Sequence, residues 1–169
     1  MAIENVAAEP PEATGWLERD SQGMALMLSR TFYAPARELW GSLTLPDELA
    51  KWIGRWSGTA GIGKTIAFEM IEEDGTLEHV TILGCEPPRH FRGDFGRSGD
   101  TWRVGFDLSD AEGITTLTLK HYLRSKEDLA DIGPGWEWYL DRLVASRENG
   151  TMPDWDDYYP ALSEYYERL

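Results

Sequence analysis

The sequence has 169 residues, the length of one ordinary domain, and its single cysteine excludes an internal disulfide. The formal net charge of −14 argues against nucleic acid and anionic lipid as partners, because both require a basic protein surface. No apolar run approaches the roughly 20 residues that span a bilayer, and residues 1–20 lack the apolar stretch of a signal peptide. We therefore expect a cytoplasmic protein without a membrane partner.

The first third of the chain predicts one strand followed by two short helices. Residues 1–22 are acidic and contain a Pro-Pro pair, which is typical of a flexible arm. The apolar run from Met24 to Phe32 predicts the first strand. Apolar residues at helical spacing then predict a helix over residues 36–43. A second short helix follows where Pro46 restarts the pattern, with Leu49, Trp52 and Ile53 on one face.

Five more segments alternate apolar and polar residues, which predicts strands with one buried face. In chain order they are Thr65 to Ile71, Leu77 to Cys85, Arg89 to Phe95, Thr101 to Leu108 and Thr115 to Leu123. Short turn signals such as Asp74-Gly75 separate them, and strands joined by short turns pair in antiparallel fashion. The middle of the chain therefore predicts an antiparallel sheet.

The longest helical pattern runs from Trp136 to Asn149, and we expect it to begin after an interruption at Gly133-Pro134-Gly135. This helix is long enough to cover the apolar face of the sheet. An aromatic, acidic extension follows over residues 151–169. The order of elements predicts an α+β domain over residues 23–150, in which a curved antiparallel sheet of about six or seven strands wraps around the long C-terminal helix.

Four segments of the sequence carry a resemblance to a known family. They are Arg30 to Trp40, Leu45 to Trp52, Thr116 to His121 and Gly135 to Leu143. In this order they resemble the START-like or SRPBCC superfamily, and within it the branch named for homologues of the activator of the 90-kDa heat-shock-protein ATPase. The resemblance covers about residues 24–147. It implies the helix-grip fold of START domains and pollen allergens, with a cavity between sheet and helix that accepts small apolar or lipid-like molecules in many members.

The resemblance leaves the activity open, because the superfamily includes carriers, hormone receptors, cyclases, ring-hydroxylase subunits and co-chaperone domains. The eukaryotic co-chaperones carry a separate chaperone-binding domain ahead of this one. Here only about 22 residues precede the first predicted strand, which disfavours a co-chaperone role.

Gly58 to Thr65 matches the pattern G-x-x-x-x-G-K-[ST], which holds nucleotide phosphates in P-loop proteins. A P-loop requires a buried strand before it and a helix after it. Residues 51–57 do not form an apolar run, and residues 66–70 alternate as a strand does. We therefore interpret the segment as a glycine-rich loop. Binding of ATP that the substitution Lys64→Ala abolishes would contradict this interpretation.

His121 is the ionisable residue best placed for a ligand site. Strand alternation puts it among Leu117, Leu119 and Leu123, on the sheet face toward the long helix. Three interpretations follow, in order of preference: a core histidine hydrogen-bonded to a neighbour, a polar contact to a ligand, and a general acid or base. The three scattered histidines and the cysteine have no metal-ligand spacing, so we expect neither a metal nor a cofactor.

Eight tryptophans and seven tyrosines are more than a core of this size needs, which favours a cavity lined by aromatic rings. The predicted ligand-binding residues are Trp52, Phe68, Phe95, Trp102, Phe106, His121, Trp136, Tyr139 and Leu140. The favoured function is binding of a small apolar molecule without covalent chemistry. One alternative is a cyclase- or hydrolase-type enzyme that uses His121. The other is a chaperone-related or homodimeric interaction module with the C-terminal extension as its contact.

Overall fold

One antiparallel sheet carries most of the fold in the computed structural model, which describes residues 10–71, 77–97 and 100–169. The strands are β1 (Trp16–Asp20), β2 (Gly23–Phe32), β3 (Gly54–Ser57), β4 (Thr65–Met70), β5 (Leu77–Glu86), β6 (His90–Arg97), β7 (Asp100–Ala111) and β8 (Ile114–Tyr122). Their spatial order is β1-β2-β8-β7-β6-β5-β4-β3. The helices are α1 (Ala36–Thr44), α2 (Pro46–Leu49), α3 (Leu129–Glu148) and α4 (Ser163–Glu167).

The predicted helix-grip architecture is confirmed, with eight strands in the described part of the chain instead of six or seven. Leu140 and Leu143 of α3 are fully buried in one core with Leu28 of β2 and Leu119 of β8. Burial of each such side chain contributes about 1.5–3 kcal/mol. Packing against the inner face of the sheet therefore holds the long helix in place.

The two additional strands lie at the edges of the sheet. β1 pairs with β2 from Trp16 opposite Met27 to Asp20 opposite Gly23, and the turn is closed by the Asp20 carboxylate, which accepts from the Gln22 amide at 2.8 Å. The flexible arm predicted over residues 1–22 is therefore wrong for residues 16–20, while residues 1–9 lie outside the described part. β3 was missed because its four residues are too few to show alternation.

The second short helix begins at Pro46, where the sequence pattern restarts, because Pro46 is preorganised for the first helical turn. It ends at Leu49, before Trp52 and Ile53, which were predicted to continue its apolar face. α1 lies within one residue of its predicted bounds.

The P-loop-like segment from Gly58 to Thr65 connects two antiparallel strands, β3 and β4. No helix follows Lys64, whose amide instead donates to the Gly61 carbonyl at 3.0 Å. This geometry fits the glycine-rich loop and not a phosphate-binding loop. The predicted turn at Asp74-Gly75 lies outside the described residues.

α3 begins at Leu129 and continues through Gly133-Pro134-Gly135, so the predicted interruption is wrong. A proline in a helix leaves the carbonyl four residues earlier without its usual partner. Here that carbonyl belongs to Ala130, and it accepts a hydrogen bond from the Ser163 hydroxyl at 2.8 Å. The C-terminal extension thus supplies the bond that Pro134 removes, and the helix stays continuous.

The C-terminal extension packs on its own domain. Tyr158, Leu162 and Tyr166 are buried, and α4 lies against α3. Tyr166 is fully buried, and its ring lies directly over Gly133 of α3. These three side chains are therefore buried within their own chain. A homodimer formed through the extension stays a prediction.

The substitution Gly133→Ala is expected to destabilise the protein by about 1–3 kcal/mol through overpacking. A Cβ atom at residue 133 would lie 2.3 Å from the Tyr166 ring, so the ring or the helix must move. Gly135→Ala is the matched control, because nothing lies within 4 Å of its Cβ position. Alanine there should stabilise the helix by about 0.5–1 kcal/mol. Urea unfolding followed by circular dichroism measures both, and equal effects of the two variants would contradict the packing argument.

Candidate functional site

His121 lies on the inner face of the sheet, the face that packs against α3. It is opposite Leu26 of β2 and Val104 of β7, and only 1% of it is exposed. Burial lowers the pKa of the imidazole to about 4, because the charged form loses its hydration among apolar groups. The histidine is therefore uncharged near neutral pH.

Three aromatic side chains join His121 in a continuous group. The indole Nε1 of Trp136, on α3, donates to Nδ1 of His121 at 2.9 Å. The ring centroid of Trp102, on β7, lies 5.0 Å from that of His121, and the rings of Trp136 and Tyr139 are 6.2 Å apart. We call Trp102, His121, Trp136 and Tyr139 the aromatic cluster. Trp102 is 47% exposed, so the cluster leads from the surface to the interior.

The sequence predicted all four cluster residues as ligand contacts. The structure brings them together at the junction of sheet and helix, as strand and helix spacing indicated. The preferred interpretation of His121, a core histidine with a hydrogen-bonded neighbour, agrees with the bond from Trp136. A ligand contact by these residues stays a prediction.

The other predicted ligand residues are spread through the core. They are Trp52, Phe68, Phe95, Phe106 and Leu140. Phe106 packs between Phe91 and Trp40, with ring centroids 5.3 and 5.6 Å away, and Phe68 meets Phe95 edge-on at 6.3 Å. The Trp52 indole donates to the Ser42 carbonyl at 2.9 Å. These contacts are those of a packed core, so the aromatic cluster is the better candidate for a site.

An ion-pair network that joins β2 to α3 was not predicted from the sequence. Arg30 of β2 reaches two acids of α3: its Nη2 lies 2.6 Å from Glu137 Oε2, and its Nε lies 2.9 Å from Asp141 Oδ1. Burial acts to lower the pKa of the guanidinium, but the charges of Asp141 and Glu137 outweigh it and raise the pKa. Arg30 is therefore charged and its charge is compensated within the fold.

Two tyrosines of the C-terminal extension complete this network. The Tyr158 hydroxyl donates to Asp141 at 2.7 Å, and the Tyr166 hydroxyl donates to Glu137 in a short hydrogen bond. Burial, strengthened by the neighbouring carboxylates, raises the pKa of both phenols. The sequence did contain a signal: Glu137 and Asp141 are one helical turn apart, and alternation along β2 places Arg30 on the inner face. The network anchors the extension on α3.

Comparison with protein families identifies the chain. The family described as activator of Hsp90 ATPase homolog 1-like protein matches residues 33–148, more than half of the sequence. The chain belongs to this family. The predicted branch of the SRPBCC superfamily is thereby confirmed. No curated protein matches the sequence of this family member.

Solved structures share the fold of this family member. CalU16 from Micromonospora echinospora is 25% identical with a TM-score of 0.75, and the match covers 94% of this chain and 97% of that one. DynU16, a protein of the dynemicin biosynthetic locus, is 23% identical with a TM-score of 0.68, over 80% of this chain and 50% of that one. The BPP1335 protein of Bordetella parapertussis is 20% identical with a TM-score of 0.68, over 94% and 92%.

Two surface depressions of this family member are lined by none of the four aromatic-cluster residues. One, of about 250 Å³, is lined by Gln22, Asp94, Thr101, Arg103, Tyr122, Leu123 and Arg124. The other, of about 430 Å³, lies beside the C-terminal extension and is lined by Ala161, Glu164, Tyr165, Arg168 and Leu169. Neither is lined by a residue of α3, whose Leu140 and Leu143 are fully buried in the core. Within the described ranges, no helix is both long and apolar enough to cross a bilayer.

The chemistry that the cluster offers is limited and specific. It presents three aromatic rings, one uncharged imidazole and a polar contact already satisfied at Nδ1. Efficient general acid–base catalysis needs a pKa near the working pH, and the pKa of His121 is well below neutrality. The arrangement therefore suits recognition of an apolar molecule better than proton transfer.

Proposed function

We propose that the protein binds a small, largely apolar molecule between the sheet and α3, at the aromatic cluster. The observation that carries this proposal is the path from half-exposed Trp102 to buried, uncharged His121. Aromatic rings offer much apolar contact area and defined geometry, which suits flat or ring-containing molecules. The biosynthetic locus of DynU16, a neighbour in fold, is consistent with such a ligand but does not name it.

Access to the site requires movement of Trp102. His121 is only 1% exposed, so a ligand must displace a neighbouring side chain to reach it. Trp102 is the least costly to displace, because nearly half of its surface already faces solvent while Leu140 and His121 are almost fully buried. The proposed mode of binding is therefore replacement of the Trp102 ring by an apolar ring of the ligand.

A neutral fluorescent naphthalene, N-phenyl-1-naphthylamine, tests the proposal. We expect a saturable rise in its fluorescence with one site per chain. The substitution Trp102→Ala should lower the Kd about tenfold, because the ring that the ligand must displace is then absent. Titration at constant protein concentration measures both.

Trp16→Ala is the matched control, since Trp16 is a partly exposed tryptophan on β1, at the other side of β2 and β8 from β7. It should leave the Kd unchanged. The proposal fails if the probe shows no saturable binding, or if the two tryptophan variants alter binding equally.

A further inference from the structure

The hydrogen bond between Trp136 and His121 determines where the imidazole carries its proton. An indole N–H can only donate, so Nδ1 of His121 must be the unprotonated, accepting nitrogen. A neutral imidazole has one protonated nitrogen, and the proton therefore sits on Nε2. Trp136 acts as a positioning residue that selects this tautomer.

The surroundings of His121 keep it in this neutral form. The rings in contact with it belong to Trp102 and Trp136, neither of which titrates. Its cross-strand neighbours are Leu26 and Val104, which are apolar. Burial among these groups disfavours the charged imidazolium. At neutral pH the side chain thus has one donor, Nε2–H, and its acceptor is already occupied.

That remaining donor has no protein acceptor. Across residues 10–71, 77–97 and 100–169, the hydrogen bond from Trp136 is the one that His121 makes. Among the described residues this nitrogen is not one of the fully buried polar atoms without a partner, so it touches solvent. A molecule that displaces that solvent must bring an acceptor or lose a hydrogen bond, so this position favours a ligand with an acceptor. Neither ring in contact with His121 carries a positive charge, so an anionic acceptor would have no counter-charge from them.

We propose that the ligand carries an uncharged carbonyl oxygen on an apolar ring system, and that this oxygen accepts the Nε2–H of His121. This inference rests on the proposed function and names the chemical class of the molecule for the same site. Ketones, quinones and esters on ring skeletons belong to that class, whereas plain hydrocarbons and carboxylates do not.

Two molecules with the same carbon skeleton test the inference, 9-fluorenone and fluorene, because they differ only by the ketone. Their Kd values are measured by displacement of N-phenyl-1-naphthylamine from the full chain. We expect 9-fluorenone to bind about fivefold more tightly than fluorene, the value of one neutral hydrogen bond. His121→Leu should reduce that ratio to about one. His121→Gln, whose amide N–H can replace Nε2–H, should keep part of the preference.

A measurement of the His121 tautomer in the absence of ligand tests the inference even if some variants fold poorly. Long-range 15N–1H correlation spectra of the unsubstituted protein should give the pattern of an Nε2–H tautomer for His121, and Trp136→Phe should mix the two tautomers. The inference is overturned if the spectra show Nδ1–H, or if the two probes bind equally while the naphthylamine still binds. Absence of naphthylamine binding would instead overturn the proposed function, and the inference with it.

Discussion

Replacement of Glu137 by alanine is expected to lower the free energy of unfolding by about 3–5 kcal/mol, the usual cost of removing one partner from a buried ion pair. Glu137 is fully buried and accepts hydrogen bonds from the Thr14 amide, from Arg30 and from Tyr166. Its removal leaves the Arg30 guanidinium with Asp141 alone and leaves the Tyr166 hydroxyl without its carboxylate partner. Urea unfolding followed by far-ultraviolet circular dichroism measures the loss.

Glu164→Ala provides the control for charge removal. Glu164 pairs with Arg168 on the exposed side of α4, where an ion pair contributes at most about 1 kcal/mol. A loss below 1 kcal/mol for Glu137→Ala, equal to that of the control, would mean that the network does not stabilise the fold.

Acidification from pH 6.5 to pH 4 is expected to remove about 3 kcal/mol of stability through His121 alone. The pKa of this histidine falls from its ordinary value of 6.5 to about 4 in the folded protein. Between these values the unfolded chain binds a proton that the folded protein does not, so falling pH favours unfolding. The contribution is complete above pH 6.5 and is lost as the pH approaches 4.

Unfolding free energies of the unsubstituted protein and of His121→Gln, measured between pH 4 and pH 7.5, test this expectation. Carboxylates also titrate in this range, but they are common to both proteins, so the difference between the two curves isolates the histidine. His79→Gln is the control, since His79 is an exposed histidine on β5. Parallel curves for the unsubstituted protein and His121→Gln would show that burial of His121 does not shift its titration.

Alternation of apolar and polar residues was enough to predict the sheet, because a period of two fixes which residues share a face. The pattern therefore places His121, Trp102 and Phe106 on the correct face of the sheet. The pattern does not say which element covers each part of that face. Phe106 packs against Trp40 of α1, whereas Trp102 lies near the N-terminal end of β7 and is half-exposed. This is why five of the nine predicted ligand residues belong to the core and not to the cluster.

The elements that the sequence did not reveal depend on contacts between distant residues. Pro134 indicates a helix break in the sequence. The helix continues because the Ser163 hydroxyl, 33 residues away in sequence, donates a hydrogen bond to the Ala130 carbonyl. Alternation along β2 places Arg30 on the inner face, but it does not show that Glu137 and Asp141 of α3 are its partners. β1 is an edge strand with one paired side, and its five residues carry little alternation. Local sequence patterns predict the type of each element and the residues on its buried face. Contacts with residues distant in sequence determine where the structure departs from those patterns.

The bond from Ser163 to Ala130 sets an order on the folding of the nascent chain. Ribosomes release residues 129–148 before residues 158–166, so α3 emerges with its proline-induced gap unfilled and Glu137 without Tyr166. During that interval the first turns of the helix lack their final partners and are its least stable part. The packing of the sheet against its helix is thus completed only after Tyr166 has left the exit tunnel and packed over Gly133.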